Sequence, residues 1–349
     1  MKTAIVGCGN ISHIHIPSAL RNGASLVGVC DLDQKRACET VSRYGSGKAY
    51  SDLQALLSGE HPDVVHVLTP PATHGRLAVQ ALEAGCHVLV EKPMAISTRE
   101  AAQMIAVAER SGKVICVDHS RLFDPLVLEA KSCLSRGHMG DLVTLEYFQG
   151  YPSKQSHVLR ENPWIGDLEL GVVQDLIPHA LAFLIDFLGP IESVQCICSR
   201  TGLSSLAPCE EMKVLASAER GIGSFTISLS TQPFMCALML YGTKMTVEID
   251  FNNRTLLKKR ERHVPRVLKR GLPAFEASTQ LLLKTIVNTA RYFTGKLGNY
   301  PGVDELICRF YRSLEAGTVP PAPAAQGLEV VQWMEQINEA GQRSMLCAS

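Results

Sequence analysis

The chain has 349 residues, 46% of them hydrophobic, with 34 Lys and Arg against 34 Asp and Glu. That length suits two domains with a sizeable core, and a net charge of zero argues against nucleic acid as a partner of the whole protein. No run approaches the ~20 apolar residues that span a bilayer; the longest, at residues 180–188, is broken by Asp186.

Residues 3–6 are β-branched and apolar, which predicts a buried strand. Gly7, Gly9, Asn10 and Ile11 follow, with the small Ser12 where a helix must pack closely. A helix over residues 11–21 is expected to stop at Asn22-Gly23. Strand, Gly-x-Gly turn and helix put backbone N–H groups and a helix N-terminus against a pyrophosphate. Gly7 would make the tight turn and Gly9 would leave room for the phosphates. The next strand, residues 25–30, ends in Asp31, 24 residues after Gly7. That is near the spacing of a carboxylate that accepts from the adenosine ribose hydroxyls. The competing reading of Asp31 is a cap for the helix that follows. A carboxylate there repels a 2′-phosphate, so NAD is expected rather than NADP.

Further strands at 64–68, 87–90 and 114–117 alternate with helices at 53–57, 74–83 and 98–111. This alternation predicts a doubly wound parallel sheet, whose ligands sit at the carboxyl ends of the strands. The polar residues at those ends are Asn10, Asp31, Thr69, His74, Glu91, Lys92 and His119. After Arg121 the pattern changes to six strand-like segments between residues 142 and 250, the mark of an α+β domain with an antiparallel or mixed sheet. A last helix is expected over 326–338. Twelve cysteines lie scattered without a C-x-x-C, so no metal site is expected. They read as reduced thiols of a cytoplasmic protein, since the apolar run after Lys2 is too short for a secretory signal.

Four motifs then stand in order: Gly7-Cys8-Gly9-Asn10-Ile11, Thr69-Pro70-Pro71 with His74, Glu91-Lys92-Pro93, and Asp175-Leu176-Ile177-Pro178-His179. In these the chain resembles the Gfo/Idh/MocA family (glucose-fructose oxidoreductase, inositol 2-dehydrogenase, MocA). The resemblance implies an NAD-binding Rossmann domain at 1–121. It implies an α+β substrate and oligomerisation domain at 122–349, with a large, open, mostly antiparallel sheet. It also implies NAD- or NADP-dependent oxidation or reduction of a sugar-like hydroxyl, in a homodimer or homotetramer that associates through the open sheet. The chain departs from the family pattern at Leu168-Glu169-Leu170-Gly171, where one glycine remains, and at Leu122, where an arginine is common.

Hydride transfer needs a base for the hydroxyl proton and a group that steadies the alkoxide. Lys92, before a proline at a strand end, would lower the hydroxyl pKa; the lysine of this motif has that role in the family. An imidazole titrates near neutrality, so His179 is the candidate to take the proton. Pro178 is expected in the first turn of a helix that starts near Leu176, with Asp175 near its N-cap and one turn from His179. Glu91 would orient Lys92 or pack near the ribose. Thr69, Pro70 and His74 would line the nicotinamide side. His119, Tyr151 and Trp164 are candidate substrate contacts. Two other functions use the same residues: an NAD enzyme that cleaves glycosides through a transient keto sugar, and a non-catalytic NAD-binding sensor.

Residues 251–300 carry eleven Lys and Arg against Glu261 and Glu276, which is +9 and leaves −9 for the rest. Beyond the dense part at 254–262, Leu282, Ile286, Ala290 and Phe293 recur at helical spacing. The basic 254–270 segment reads either as a solvated face or as a contact for an anion. That anion would be a nucleotide-sugar diphosphate or an anionic membrane.

Overall fold

Strand β1 (Lys2–Val6) buries four of its five residues. It is central in a sheet with β2 (Ser25–Cys30), β3 (Lys48–Tyr50), β4 (Val64–Val67), β5 (His87–Val90) and β6 (Ile115–Val117). The order is β3-β2-β1-β4-β5-β6, parallel throughout. β3 has no counterpart among the expected strands; three residues are too few to show a period. The computed structural model describes all residues except 152–162, 203–207, 262–263, 266–270, 295–299 and 349.

Helices α1 (Ser12–Arg21), α2 (Gln34–Tyr44), α3 (Leu53–Glu60), α4 (His74–Glu83) and α5 (Thr98–Ser111) connect these strands. Their ends follow from local chemistry. Asp33 caps α2, accepting from the N–H of Lys35 and of Arg36, and Gly45 closes it at φ +63°. Ser97 and Gly112 do the same for α5. The helices cover both faces: Ile16 and Ala37 pack on Ile5 and Val29, while Leu56, Ala78 and Met104 pack on Val65 and Val88. Strand order reverses between β1 and β4, and ligands of such sheets sit outside that point.

The expected single division at residue 121/122 needs correction. One unit comprises residues 1–124 with 300–335; the other comprises 125–299 with 336–349. Helix α9 (Pro301–Ala316) returns to the parallel sheet because Phe310 and Tyr311 are buried there and Asp304 accepts from Ser18 and Arg21 of α1. The Val117 N–H donates to the Ala322 carbonyl at 2.9 Å. These contacts link residues roughly 200 to 290 apart and leave no local pattern.

The second unit holds α6 (Pro125–Ser135) and strands β7 (Leu142–Gly150), β8 (Ile191–Ser199), β9 (Glu211–Ala218), β10 (Gly221–Ser228), β11 (Met235–Gly242), β12 (Met245–Asp250) and β13 (Thr255–Arg260). They form one sheet, β13-β12-β11-β7-β10-β9-β8. Only β7 and β10 pair in parallel; every other pair is antiparallel. Helix α7 (Val172–Leu188) lies on one face, and Gly223 permits its approach, since a Cβ there would come 2.2 Å from Leu184. α8 (Gly271–Phe293) packs beside β13. The last helix, α10 (Ala324–Ala348), is longer than expected, and its residues belong to both units. Among the described residues no helix is long and apolar enough to cross a membrane.

Candidate active site

Gly7 adopts φ +98°, and a Cβ there would lie 2.7 Å from the Leu68 carbonyl oxygen. Only glycine lets the chain leave β1 beside β4. A Cβ on Gly9 would meet nothing within 4 Å. No side chain caps α1, the condition in which a helix N-terminus receives an anion. Ser12 is buried and donates to the Gly9 carbonyl at 2.6 Å, holding the turn against the helix. Asn10 is exposed and Ile11 half-buried.

Asp31 Oδ2 accepts the Cys8 N–H at 2.8 Å, and Oδ1 accepts the Asp33 N–H at 2.9 Å. Because Asp33 is the cap of α2, the capping reading of Asp31 is not the one the structure adopts. Each Asp31 oxygen keeps a lone pair for a ribose hydroxyl. Glycine turn, uncapped helix and carboxylate together fit a dinucleotide.

Thr69 and Pro70 lie at the end of β4, half-buried and exposed respectively, with the Thr69 hydroxyl accepting from Thr73. His74 is fully buried, with Nδ1 2.8 Å from the Pro93 carbonyl and Nε2 2.7 Å from that of Thr69. Burial lowers its pKa, and the Lys92 charge adds to that. A neutral ring donates to one of the two carbonyls, so His74 ties the β4 and β5 loops together.

Glu91 Oε2 accepts the Lys92 N–H at 3.1 Å, and its other oxygen lies 3.3 Å from His15 Nε2. His15 on α1 also approaches Asp118 at 2.9 Å. Burial alone would lower the His15 pKa, but the hydrogen bonds and charges of Asp118 and Glu91 raise it to about 9. His15 is therefore a buried imidazolium between two carboxylates. Its Nδ1–H points at His66 Nδ1, 3.2 Å away, and burial together with the His15 charge drives the His66 pKa well down. Neutral His66 then donates from Nε2 to the Tyr311 hydroxyl at 2.9 Å, which sits 3.3 Å from Thr3 Oγ1. This chain anchors Glu91, and so the backbone of Lys92, to α1, β4 and α9. Sequence reasoning passed over His15, His66, Asp118 and Tyr311. The one local sign was a histidine inside an otherwise apolar buried strand.

His119 is 1% exposed, and neither ring nitrogen has a hydrogen-bond partner among the described residues. Burial foremost, with Lys92 adding and Asp118 opposing, lowers its pKa to about 4. It is a neutral imidazole close to Lys92.

In the second unit α7 begins at Val172, one turn before the expected start, with Gly171 at φ +61° as its N-cap. Pro178 thus lies inside the helix, not in its first turn. The Gln174 side chain reaches back to accept the Leu170 N–H at 3.2 Å, and that brace lets the helix start early. Thirteen of the seventeen α7 residues are buried; Gln174, Asp175, His179 and Asp186 are the half-exposed ones. Asp175 and His179 stand one turn apart on the same edge, as expected. Tyr151 is half-buried, its N–H donating to Ser228 and its ring edge-on to Phe234 at 5.8 Å. Trp164 is half-buried in the turn Pro163–Asp167.

Residues 1–119 match the Gfo/Idh/MocA family model, described as oxidoreductase family, NAD-binding Rossmann fold. The D-glucoside 3-dehydrogenase of Escherichia coli (strain K12) is 33% identical over 144 residues, 41% of each chain. The D-apiose dehydrogenase of Paraburkholderia graminis is 29% identical over 227 residues, 64% of this chain and 59% of its own. The matched part thus spans about half the length of these relatives. The WlbA dehydrogenase from Bordetella pertussis, solved in complex with NADH and UDP-GlcNAcA, superposes with a TM-score of 0.80 over 99% of this chain and 96% of that one. At 19% identity the likeness is one of fold.

Proposed function

We propose, from the match of residues 1–119 to the Gfo/Idh/MocA family model, that the protein is an NAD-dependent dehydrogenase of a sugar, sugar derivative or nucleotide-sugar. The carrying observation is the set at the carboxyl ends of the parallel strands. Gly7 and Asp31 shape a dinucleotide turn, and Lys92 follows a glutamate held by a buried imidazolium. Gly7, Gly9, the α1 N-terminus and Asp31 would hold NAD, with Thr69 and Pro70 beside them. Bound NAD supplies a hydride acceptor for a carbinol carbon. Lys92 steadies the oxygen as it loses its proton, His179 takes that proton, and Asp175 keeps the imidazole oriented. His119, Tyr151 and Trp164 contact substrate.

The assembly is a homodimer or homotetramer through the outward face of the second sheet, where Ile197, Leu215 and Ile222 stand exposed. The setting is a reducing cytoplasm, a reading supported by eleven free thiols among the described residues. A diphosphate contact through Lys258 and Lys259 loses support, because both are engaged by Glu129 and Glu248.

NADH absorbance across a panel of sugars and UDP-sugars tests the activity. Net NADH should appear with at least one of them, and Lys92→Ala should lower turnover ~10²-fold with NAD affinity kept. Cleavage of a glycoside without net NADH would replace dehydrogenation by the keto-sugar route. Titration should show NAD binding tighter than NADP, with Asp31→Ser narrowing the gap; tighter NADP binding by the parent would refute the role of Asp31.

A further inference from the structure

Helix α8 is packed inside out. Phe275, Leu282, Ile286 and Phe293 fall within about 40° of one another around the helix at 100° per residue. They are 70%, 61%, 57% and 82% exposed. Gln280, Lys284 and Asn288 lie on the opposite side, and these polar residues hold the helix to its own unit. Gln280 accepts the Lys258 N–H at 2.9 Å and donates to the Lys258 carbonyl at 3.0 Å. Asn288 donates to the Arg254 carbonyl at 2.7 Å. Lys284 approaches Glu129 at 3.7 Å. No α8 residue is buried. The polar anchors fix the rotation of the helix, so the apolar stripe is held outward.

We propose that α8 seats the protein on an anionic lipid surface, lying flat with this stripe in the headgroup boundary. Charge selects that occupant. Residues 251–300 carry +9 within a neutral chain. Three of the cations are held in ion pairs, Lys258 and Lys284 with Glu129 and Lys259 with Glu248. Arg260 and Arg291 are exposed, Lys269 and Arg270 directly precede the helix, and Lys296 follows it. An isologous contact with a second copy would set two like-charged segments against each other, whereas an anionic bilayer attracts each cation by about 1 kcal/mol, roughly fivefold in binding. At about 34 Å for 23 residues, with aromatic side chains at both ends of the stripe, α8 has the build of an interfacial helix. It is not a spanning one.

Flotation of the full chain with phosphatidylcholine vesicles, and with equimolar phosphatidylcholine–phosphatidylglycerol vesicles, tests this. Binding should be at least ~10-fold stronger on the anionic vesicles and should fall as salt rises. Leu282→Asp/Ile286→Asp should reduce it ~10-fold or more, with the NAD-dependent rise in melting temperature unchanged, since these side chains make no core contacts. Arg260→Gln/Arg291→Gln spares the stripe and should also weaken anionic binding ~25-fold, leaving the neutral vesicles unaffected. Absence of vesicle binding, equal binding to neutral vesicles, or parent-like binding by both variants would overturn the proposal. So would an assembly, seen by light scattering, that Leu282→Asp/Ile286→Asp takes apart, because the stripe would then be an interface between copies.

Discussion

Helices α7 and α8 belong to the same unit, and both are amphipathic, yet they are installed in opposite senses. α7 turns its apolar face to the sheet and leaves Asp175 and His179 at its half-exposed edge. α8 turns Gln280, Lys284 and Asn288 inward and leaves Phe275, Leu282, Ile286 and Phe293 in solvent. The difference lies in what each helix meets. Beneath α7 the sheet offers Gly223 and buried Phe225. Beneath α8 lie the Lys258 backbone and the Glu129 carboxylate. An apolar stripe shows that a helix has two faces; the neighbouring element decides which one turns in.

Substitutions that probe burial should separate the two helices most widely. Leu184→Ala removes a fully buried α7 side chain and should cost roughly 2–5 kcal/mol. Leu282→Ser on α8 should stay within about 0.5 kcal/mol. Denaturant midpoints measure both, and equal losses would mean that α8 is buried after all.

The inward polar contact of α8 has a dry counterpart in α1. The folded pKa of His15, about 9, lies above the ~6.5 of an unfolded histidine. Its contribution is therefore fully present below about pH 6.5 and lost as pH rises through about 9. The groups facing it are Glu91, Asp118 and His66. Stability of the parent should fall by on the order of 3 kcal/mol across that window, while His15→Gln should be nearly flat. A parent that is equally stable at pH 7 and pH 10 would show that His15 is not an imidazolium.

The edge of α7 is the next test. His179→Ala should slow turnover by ~10², about 2.7 kcal/mol, with NAD affinity nearly intact. Loss of NAD binding in step with rate would make His179 structural. The smallest effect should come from Lys284→Ala on α8. That pair is 41% and 36% exposed, and such contacts are worth about 0–1 kcal/mol. A larger loss would show that the inward polar face of α8 is tighter than its exposure implies.

Much of this was legible in the residues. A Gly-x-Gly turn after a buried run, a carboxylate at the next strand end and Glu91-Lys92-Pro93 are local signals, and local chemistry dictates them. The start of α7 was misjudged because Pro178 reads as a first-turn residue; Gln174, reaching back to Leu170, carries the helix one turn earlier. The burial of His74 was not legible, because its two carbonyl partners come from loops that sequence does not join.

By itself, the sequence determined periods, turns and caps, since each depends on neighbours within a few residues. It also determined the alternation that makes the first sheet parallel, because each βαβ crossover has one favoured hand. Only the tertiary structure decided that residues 300–335 return to the first sheet, that His15, His66 and Tyr311 join beneath Glu91, and that α8 faces outward. Each of these depends on contacts between distant segments, whose free energy is absent from any local stretch of chain.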